Sequence, residues 1–328
     1  MKSKTEFVDF FESTFGGKKN KITKKIINRD NRKRFVKVYS AIIIISALIA
    51  MGVFFYLKMQ NIYNNTYVFF IIPVIAFILY MMGQFLTPTK STKIQEKQKE
   101  NKTQIIDFLL SDEPHAFMPT NFVSQSLFIN SPACKPNSNI INYTGEDYLS
   151  FAHNADFNNF VLSDIEVTEQ YTYQTQSNAS KNNTPTYTTH TVDEIMFSGM
   201  FGYAELAYPS PLTISINSNN TSTLQKCEFE SEEFNKTFRI YANDQIKARQ
   251  FLTVNLMGKL MTGAKKSSAR ISLYMQGNSL YFYRNKQLFD TSNKVHSFSA
   301  EKVEPLYDDI KLILDIKTHV EKFLKDRF

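Results

Sequence analysis

Hydrophobic and polar positions follow three different patterns along this chain. Residues 38–57 (VYSAIIIISALIAMGVFFYL) and 67–86 (YVFFIIPVIAFILYMMGQFL) are apolar runs with no charge in either. At ~1.5 Å rise per residue, a helix of that length matches a hydrocarbon core about 30 Å thick. The pattern therefore predicts a transmembrane hairpin closed by residues 58–66. Ahead of it, Phe7, Phe11 and Phe15 recur every fourth residue, opposite Glu6, Asp9 and Glu12. That spacing predicts a short amphipathic helix over residues 4–15, ended by Gly16 and Gly17, that docks on the protein's own domain or on a partner.

Behind the apolar runs, residues 90–104 are rich in Lys, Gln and Glu and predict a solvated helical stalk leading into Ile105–Leu110. From about Asn121 the period changes to two. Phe160–Tyr173 is rich in β-formers, Gln174–Thr191 is an Asn/Ser/Thr tract expected to be a hairpin loop, and Val192–Tyr203 reads as the returning strand. Leu212, Ile214 and Ile216 alternate with polar residues as a further strand. Residues 270–275 and 279–284 flank Gln276-Gly277-Asn278, which predicts a compact hairpin. Residues 244–261 read as helix interrupted at Thr253. Leu306, Ile310, Ile313, Ile316, Val320 and Phe323 mark a closing amphipathic helix. Strands and helices in runs, without strict alternation, indicate an α+β domain.

Charge adds a topology. Of 38 Lys and Arg against 31 Asp and Glu, twelve bases and four acids fall in residues 1–37, a net +8. Residues 103–328 carry 20 bases and 25 acids, a net −5 that argues against nucleic-acid binding there. Basic flanks on both sides of the hairpin predict cytoplasmic N and C termini and a multi-pass inner-membrane localisation. The basic arm Lys18–Lys37 is then a topology signal and an anionic-lipid contact. The expected partners are the lipid bilayer through two spans and an unknown protein partner. The expected organisation is a helix and basic arm over residues 1–37, a hairpin over 38–86, a linker over 87–104 and a cytoplasmic α+β domain over 105–328.

Candidate chemistry is sparse. Cys134 and Cys227 are too few for a disulfide scaffold or a four-cysteine zinc site. The five histidines stand apart without metal-ligand spacing, and ten scattered glycines form no phosphate-cradling loop. Asp147, His153 and Asp156 form the best polar cluster; the competing reading of His153 and Asp156 is a capped turn entering a strand. Ser198 lacks the Gly-x-Ser-x-Gly elbow of an exposed nucleophile. Glu228, Glu230, Glu232 and Glu233 attract a cation or, more simply, serve as first-turn helix charges. Cys227 reads as a buried small hydrophobe. No catalytic, cofactor-binding or metal-binding residue and no cofactor is assigned. The chain reads as a membrane-anchored cytoplasmic binding or scaffold module of unknown ligand. The alternative is an enzyme acting on a membrane-proximal substrate at Asp147, His153 and Asp156.

One ordered set of segments resembles a known family. It comprises Tyr143-Thr144-Gly145-Glu146-Asp147-Tyr148, Leu162-Ser163-Asp164-Ile165-Glu166, Met196–Gly202 (MFSGMFG), Phe229–Phe238 (FESEEFNKTF), Tyr241–Arg249 (YANDQIKAR) with Leu252-Thr253, and Gln287-Leu288-Phe289. Together they resemble the bacterial domain-of-unknown-function family numbered 3137, whose members carry a paired transmembrane hairpin ahead of such a domain. The resemblance implies the architecture already read from the pattern: an N-terminal two-helix transmembrane hairpin followed by a cytoplasmic antiparallel-sheet domain with packed helices. The family brings no established activity. Thr253-Val254 departs from its usual Thr-Pro.

Overall fold

A computed structural model describes residues 1–15, 56, 92–177, 186–218, 223–267, 269–289 and 300–326. The chain divides into two compact units, one of Met1–Ser13 with Asn101–Phe328 and one of Thr14–Glu100. In the second unit the described residues are helical at residues 14–15, at Tyr56 and over residues 92–100.

In order, the elements are α1 (Lys4–Phe15), α2 (Thr92–Leu109), β1 (His115–Met118), α3 (Gln125–Ile129), β2 (Ile140–Phe151), β3 (Phe157–Ser177) and β4 (Thr186–Ile216). There follow β5 (Gln225–Cys227), α4 (Glu232–Thr237), β6 (Ile240–Ala242), α5 (Gln245–Phe251), α6 (Val254–Ser267), β7 (Ile271–Arg284) and α7 (Ala300–Lys325). The seven strands form one antiparallel sheet in the order β1-β2-β3-β4-β6-β5, with β7 also paired to β4. β4 is its spine. It pairs β3 along Thr186–Leu206, β7 from Met200 to Ile216, and β6 at Ile214–Ile216.

Within the sheet, β3 is buried continuously from Phe160 to Ile165, with no alternation, because both of its faces are covered. On one face Val161, Ile165, Val167, Phe201 and Tyr281 form a core with Val123 and Phe128 from the segment over it. On the other, Ile313 and Ile316 of α7 share a narrow crevice with Leu162, Gly202 and Phe282. All six apolar positions singled out for the closing helix are buried. α1 docks on its own unit: Phe7 is buried, with its ring centroid 5.9 Å from Tyr307 and 6.5 Å from Phe108. Asp244 caps α5 through the backbone N–H groups of Ile246 and Lys247, and the helical stretch breaks at Leu252-Thr253 as expected.

Several expectations are corrected. The described chain is predominantly an antiparallel-sheet domain, and the α+β fold with a transmembrane hairpin does not describe it. Among the described residues no helix is long and apolar enough to cross a membrane. The two longest, α2 and α7, carry charged residues along their length. The bilayer contact through two spans and the multi-pass inner-membrane localisation are corrected with it. Residues 38–57 and 67–86, and the Lys18–Lys37 arm, lie outside the described residues.

Two sheet details also differ. Residues 270–284 do not make a hairpin; β7 is one strand, with Gly277 at φ 53° opposite Ser210. β4 supplies partners for both of its halves, so the strand bends at the glycine and continues. The polar tract after Tyr173 is not all loop, since β3 and β4 stay paired as far as Ser177↔Thr186.

Candidate functional site

The sequence-derived cluster of Asp147, His153 and Asp156 is distributed over two places. His153 lies in the β2–β3 turn, where its Nδ1 is 2.9 Å from the Phe157 carbonyl. Asn154 Oδ1 accepts from the backbone N–H groups of Asp156 and Phe157, which is the capped turn. Asp156 pairs with Lys325 of α7 at 3.0 Å. Asp147 instead sits at a bulge in β2, at φ 62°, with no exposed surface. Its two carboxylate oxygens accept from Lys102 Nζ at 2.8 and 2.6 Å.

That ion pair belongs to a buried charge cluster which sequence reasoning missed. Lys102, read as stalk, is 6 % exposed, and its ammonium lies 3.5 Å from Glu146 and 5.0 Å from the Phe289 ring centroid. Nearby Asp164 of β3 accepts from the Leu288 backbone N–H at 2.8 Å and the Phe289 N–H at 3.3 Å. Burial pushes Asp147 up to about 7, against the opposing pull of Lys102. It pushes Asp164 up to about 8, with the Asp147 charge adding to the shift. Carboxyls of this kind suit acid–base chemistry, but these two are sealed. Their hydrogen bonds tie β2, β3, α2 and the segment after β7 to one another. A second buried pair, the bidentate Arg284–Asp309, ties β7 to α7. The one available signal was a charge inside an apolar β-run, as at Asp164 beside Leu162 and Ile165.

The accessible site lies on the opposite face of the sheet. There Phe128 of α3 packs within 6.0 Å of the Tyr143, Phe197 and Phe201 rings, anchoring the segment that follows it. Ser131 Oγ donates to the Phe128 carbonyl and accepts from the Ala133 N–H, turning the chain outward. Glu169 of β3 then holds the returning loop, one oxygen accepting from Lys135 Nζ at 2.5 Å and the other from Ser138 Oγ at 3.0 Å. The Lys135 bond keeps the Glu169 carboxyl below the usual range.

Between this 130–140 wall and β7 runs an open groove of about 970 Å³, with Tyr274 and Tyr281 on the β7 side. Amides and hydroxyls, among them Asn130, Asn137, Asn139, Gln276 and Ser279, share its lining about equally with apolar surface such as Ile129 and Ile140. Among the described residues Lys135 is the one charged residue lining it, and Glu169 pairs with that charge. A second groove of about 610 Å³ lies behind the same wall, against Gln170–Thr172 of β3. Cys134 lines the first groove, where burial pushes its thiol above the ordinary value. Sequence reasoning had no means of finding either groove, because an Asn/Pro/Ser segment looks like any loop.

The other sequence candidates take structural places. Cys227 is buried. Glu232 and Glu233 occupy the first turn of α4 behind the Ser231 cap. Gly199 lies within β4 at φ 150° because the backbone of Arg284–Lys286 crosses directly over it. Among the described residues no group of His, Cys, Asp and Glu is placed to hold a metal ion.

The fold and its sites thus define an antiparallel-sheet domain with an internal charge cluster and an open polar groove. Residues 195–322 match the model of a family described as "Protein of unknown function (DUF3137)". The match takes in the motif segments from Met196 to Phe289, while those at Tyr143–Tyr148 and Leu162–Glu166 lie upstream of it. Neither membrane anchoring nor bacterial origin follows from it. No curated protein and no solved structure matches the chain.

Proposed function

We propose that this chain is a binding module whose ligand occupies the groove between the 130–140 wall and β7. The observation that carries the reading is the groove itself: a concavity of about 970 Å³, lined by neutral hydrogen-bonding groups and apolar surface together and set against a paired sheet. Such a volume falls in the ~300–1,000 Å³ range of small-molecule sites. With Lys135 paired to Glu169, the lining suits an uncharged polar ligand more than a phosphate or a carboxylate. The enzyme alternative has less support, since Asp147 is paired and sealed while His153 and Asp156 belong to a turn packed against α7.

Native mass spectrometry of the purified full chain beside a Ser279→Trp variant tests the proposal. A bound species on the parent chain that disappears from the variant is expected. Retention of that species by the variant, or its absence from both, would overturn the assignment.

A further inference from the structure

Five carboxamide side chains line the groove between the 130–140 wall and β7: Gln125, Asn130, Asn137, Asn139 and Gln276. Among the described residues the first four make no side-chain bond to the protein. Elsewhere in the domain amides serve the fold, since Asn154, Asn217, Asn235 and Asn243 each bond nearby backbone through the side chain. Gln276 is oriented by Tyr274, whose hydroxyl donates to its Oε1 at 2.7 Å and leaves the amide N–H groups to the groove.

The β7 side of the groove depends on Gly277. Side chains on one face of a strand alternate, yet Tyr274, Gln276, Ser279 and Tyr281 all line the groove. An irregularity at Gly277, φ 53°, shifts the alternation by one residue, so both halves of β7 present the same face. On the wall, Glu169 holds Lys135 and Ser138, and the Gln170 N–H donates to the Asn139 carbonyl. Asn137 and Asn139 are thereby set in place before a ligand arrives, which lowers the ordering cost of binding.

We propose that the groove takes a neutral saccharide, an inference that rests on the binding-module reading of the same site. A carboxamide offers N–H donors and a carbonyl acceptor side by side. A phosphate or carboxylate only accepts, and would leave the amide carbonyls to water; an ammonium only donates, and would leave the N–H groups so. Sugar hydroxyls donate and accept, and serve both ends of each amide. The apolar share of the lining, Ile129 and Ile140 with the Tyr274 and Tyr281 rings, matches the C–H faces of the same ligand. A sugar ring is polar around its rim and apolar on its faces, which is the mixture this groove presents. An extended peptide is read chiefly through its backbone by a strand edge. Here β7 lines the groove with alternate side chains of one face.

Isothermal titration of the purified full chain tests the assignment. The probes are maltohexaose, cellohexaose, mannohexaose and chitohexaose, beside an oligogalacturonate and a hexapeptide of Ser, Asn and Gly. At least one neutral hexasaccharide is expected to bind, and the acidic saccharide and the peptide are not. Gln276→Ala and Asn130→Ala, both at exposed positions, should each weaken that binding roughly three- to tenfold, the loss of one or two hydrogen bonds, with Tm unchanged. Failure of every neutral saccharide, binding undiminished in both variants, or preference for the galacturonate or the peptide would overturn the saccharide assignment. If no saccharide binds while the native mass spectrum still shows a species lost in Ser279→Trp, the ligand class alone falls. If that species is missing too, the binding reading falls with it.

Discussion

Lys102 of α2 and Asp147 of β2 form a bidentate ion pair, with Nζ–O distances of 2.6 and 2.8 Å, at a strand residue held at φ 62° and closed to solvent. Two features of Asp147 follow from its place. The Asp147 N–H leaves the strand ladder to donate to the Pro119 carbonyl, and the carboxylate turns inward to the ammonium. Next to it Gly145 leaves room for the chain to pass; a Cβ there would lie 2.5 Å from the Asp164 carbonyl and 2.7 Å from Phe122 Cβ. An Asp in the left-handed region, beside a glycine under close contact, marks a designed irregularity in the strand.

Removing one member of this pair strands the other. Lys102→Met should cost little near and below pH 7, where Asp147 takes up a proton, and the cost should grow with pH toward the ~3–5 kcal/mol usual when a buried charge loses its partner. Adding Asp147→Asn, which keeps the shape and tolerates the positive φ, should recover much of the loss. Chemical denaturation of the two variants beside the parent chain reads this out. A Lys102→Met protein as stable as the parent at basic pH would show the pair to be dispensable.

Stability should depend on pH in a defined direction. Asp147 and Asp164 hold their protons up to about 7 and 8 in the folded chain. In an unfolded chain an Asp titrates near ~3.9. Between these limits the folded state binds more protons, so their contribution is fully present at low pH and is lost as pH rises through about 7 to 8. Thermal unfolding should therefore show Tm falling as pH rises through that window. Asp164→Asn, which still accepts from Leu288 and Phe289, should flatten the fall and raise Tm at pH above 8 by roughly 2–8 °C, the equivalent of about 1–2 kcal/mol. An unchanged pH slope in the variant would show that Asp164 does not titrate in this window.

Two glycines should respond with opposite signs. A Cβ on Gly199 would meet the Arg284 carbonyl at 2.1 Å and the Lys286 nitrogen at 2.7 Å, at φ 150°. Gly199→Ala should accordingly cost ~3 kcal/mol or more, because two backbones must separate. Gly258, on the exposed side of α6, has nothing within 4 Å of such a Cβ. Gly258→Ala should stabilise by about 0.5–1 kcal/mol through helix propensity. Equilibrium unfolding of both variants decides the point.

The N-terminal helix should behave as core. Phe7→Ala empties a site between Phe108 and Tyr307 and should cost ~3–5 kcal/mol. Glu12→Ala, on the exposed face of the same helix, should stay within about 0.5 kcal/mol of the parent. Protection of amides in α1 from hydrogen exchange, lost in Phe7→Ala and kept in Glu12→Ala, gives an independent check.

Whatever depends on neighbouring residues could be read from the sequence alone. The spacing of Phe7 and Phe11, the helical stretch over 244–261 with its break at Thr253 and the apolar stripe from Leu306 to Phe323 are local patterns, and each is found where the pattern puts it. Strand content was legible for the same reason, since Val, Ile, Thr and Tyr fit a pleated surface whatever their partners. Tertiary structure decided which strand meets which. The Gln276-Gly277-Asn278 stretch has the composition of a turn, yet β4 pairs both of its flanks and carries β7 through it as one strand, bent at Gly277. The buried charges were decided there too. Lys102 finds Asp147 across 45 residues, and Asp164 finds the Leu288 N–H across 124. A Lys in a polar run looks solvated until a distant carboxylate is brought against it, and the groove walls read as loop until Glu169 pins them. Periodicity records which face of an element is buried, but pairings between distant residues leave no periodic trace, because they arise only when the folded backbone brings those residues together.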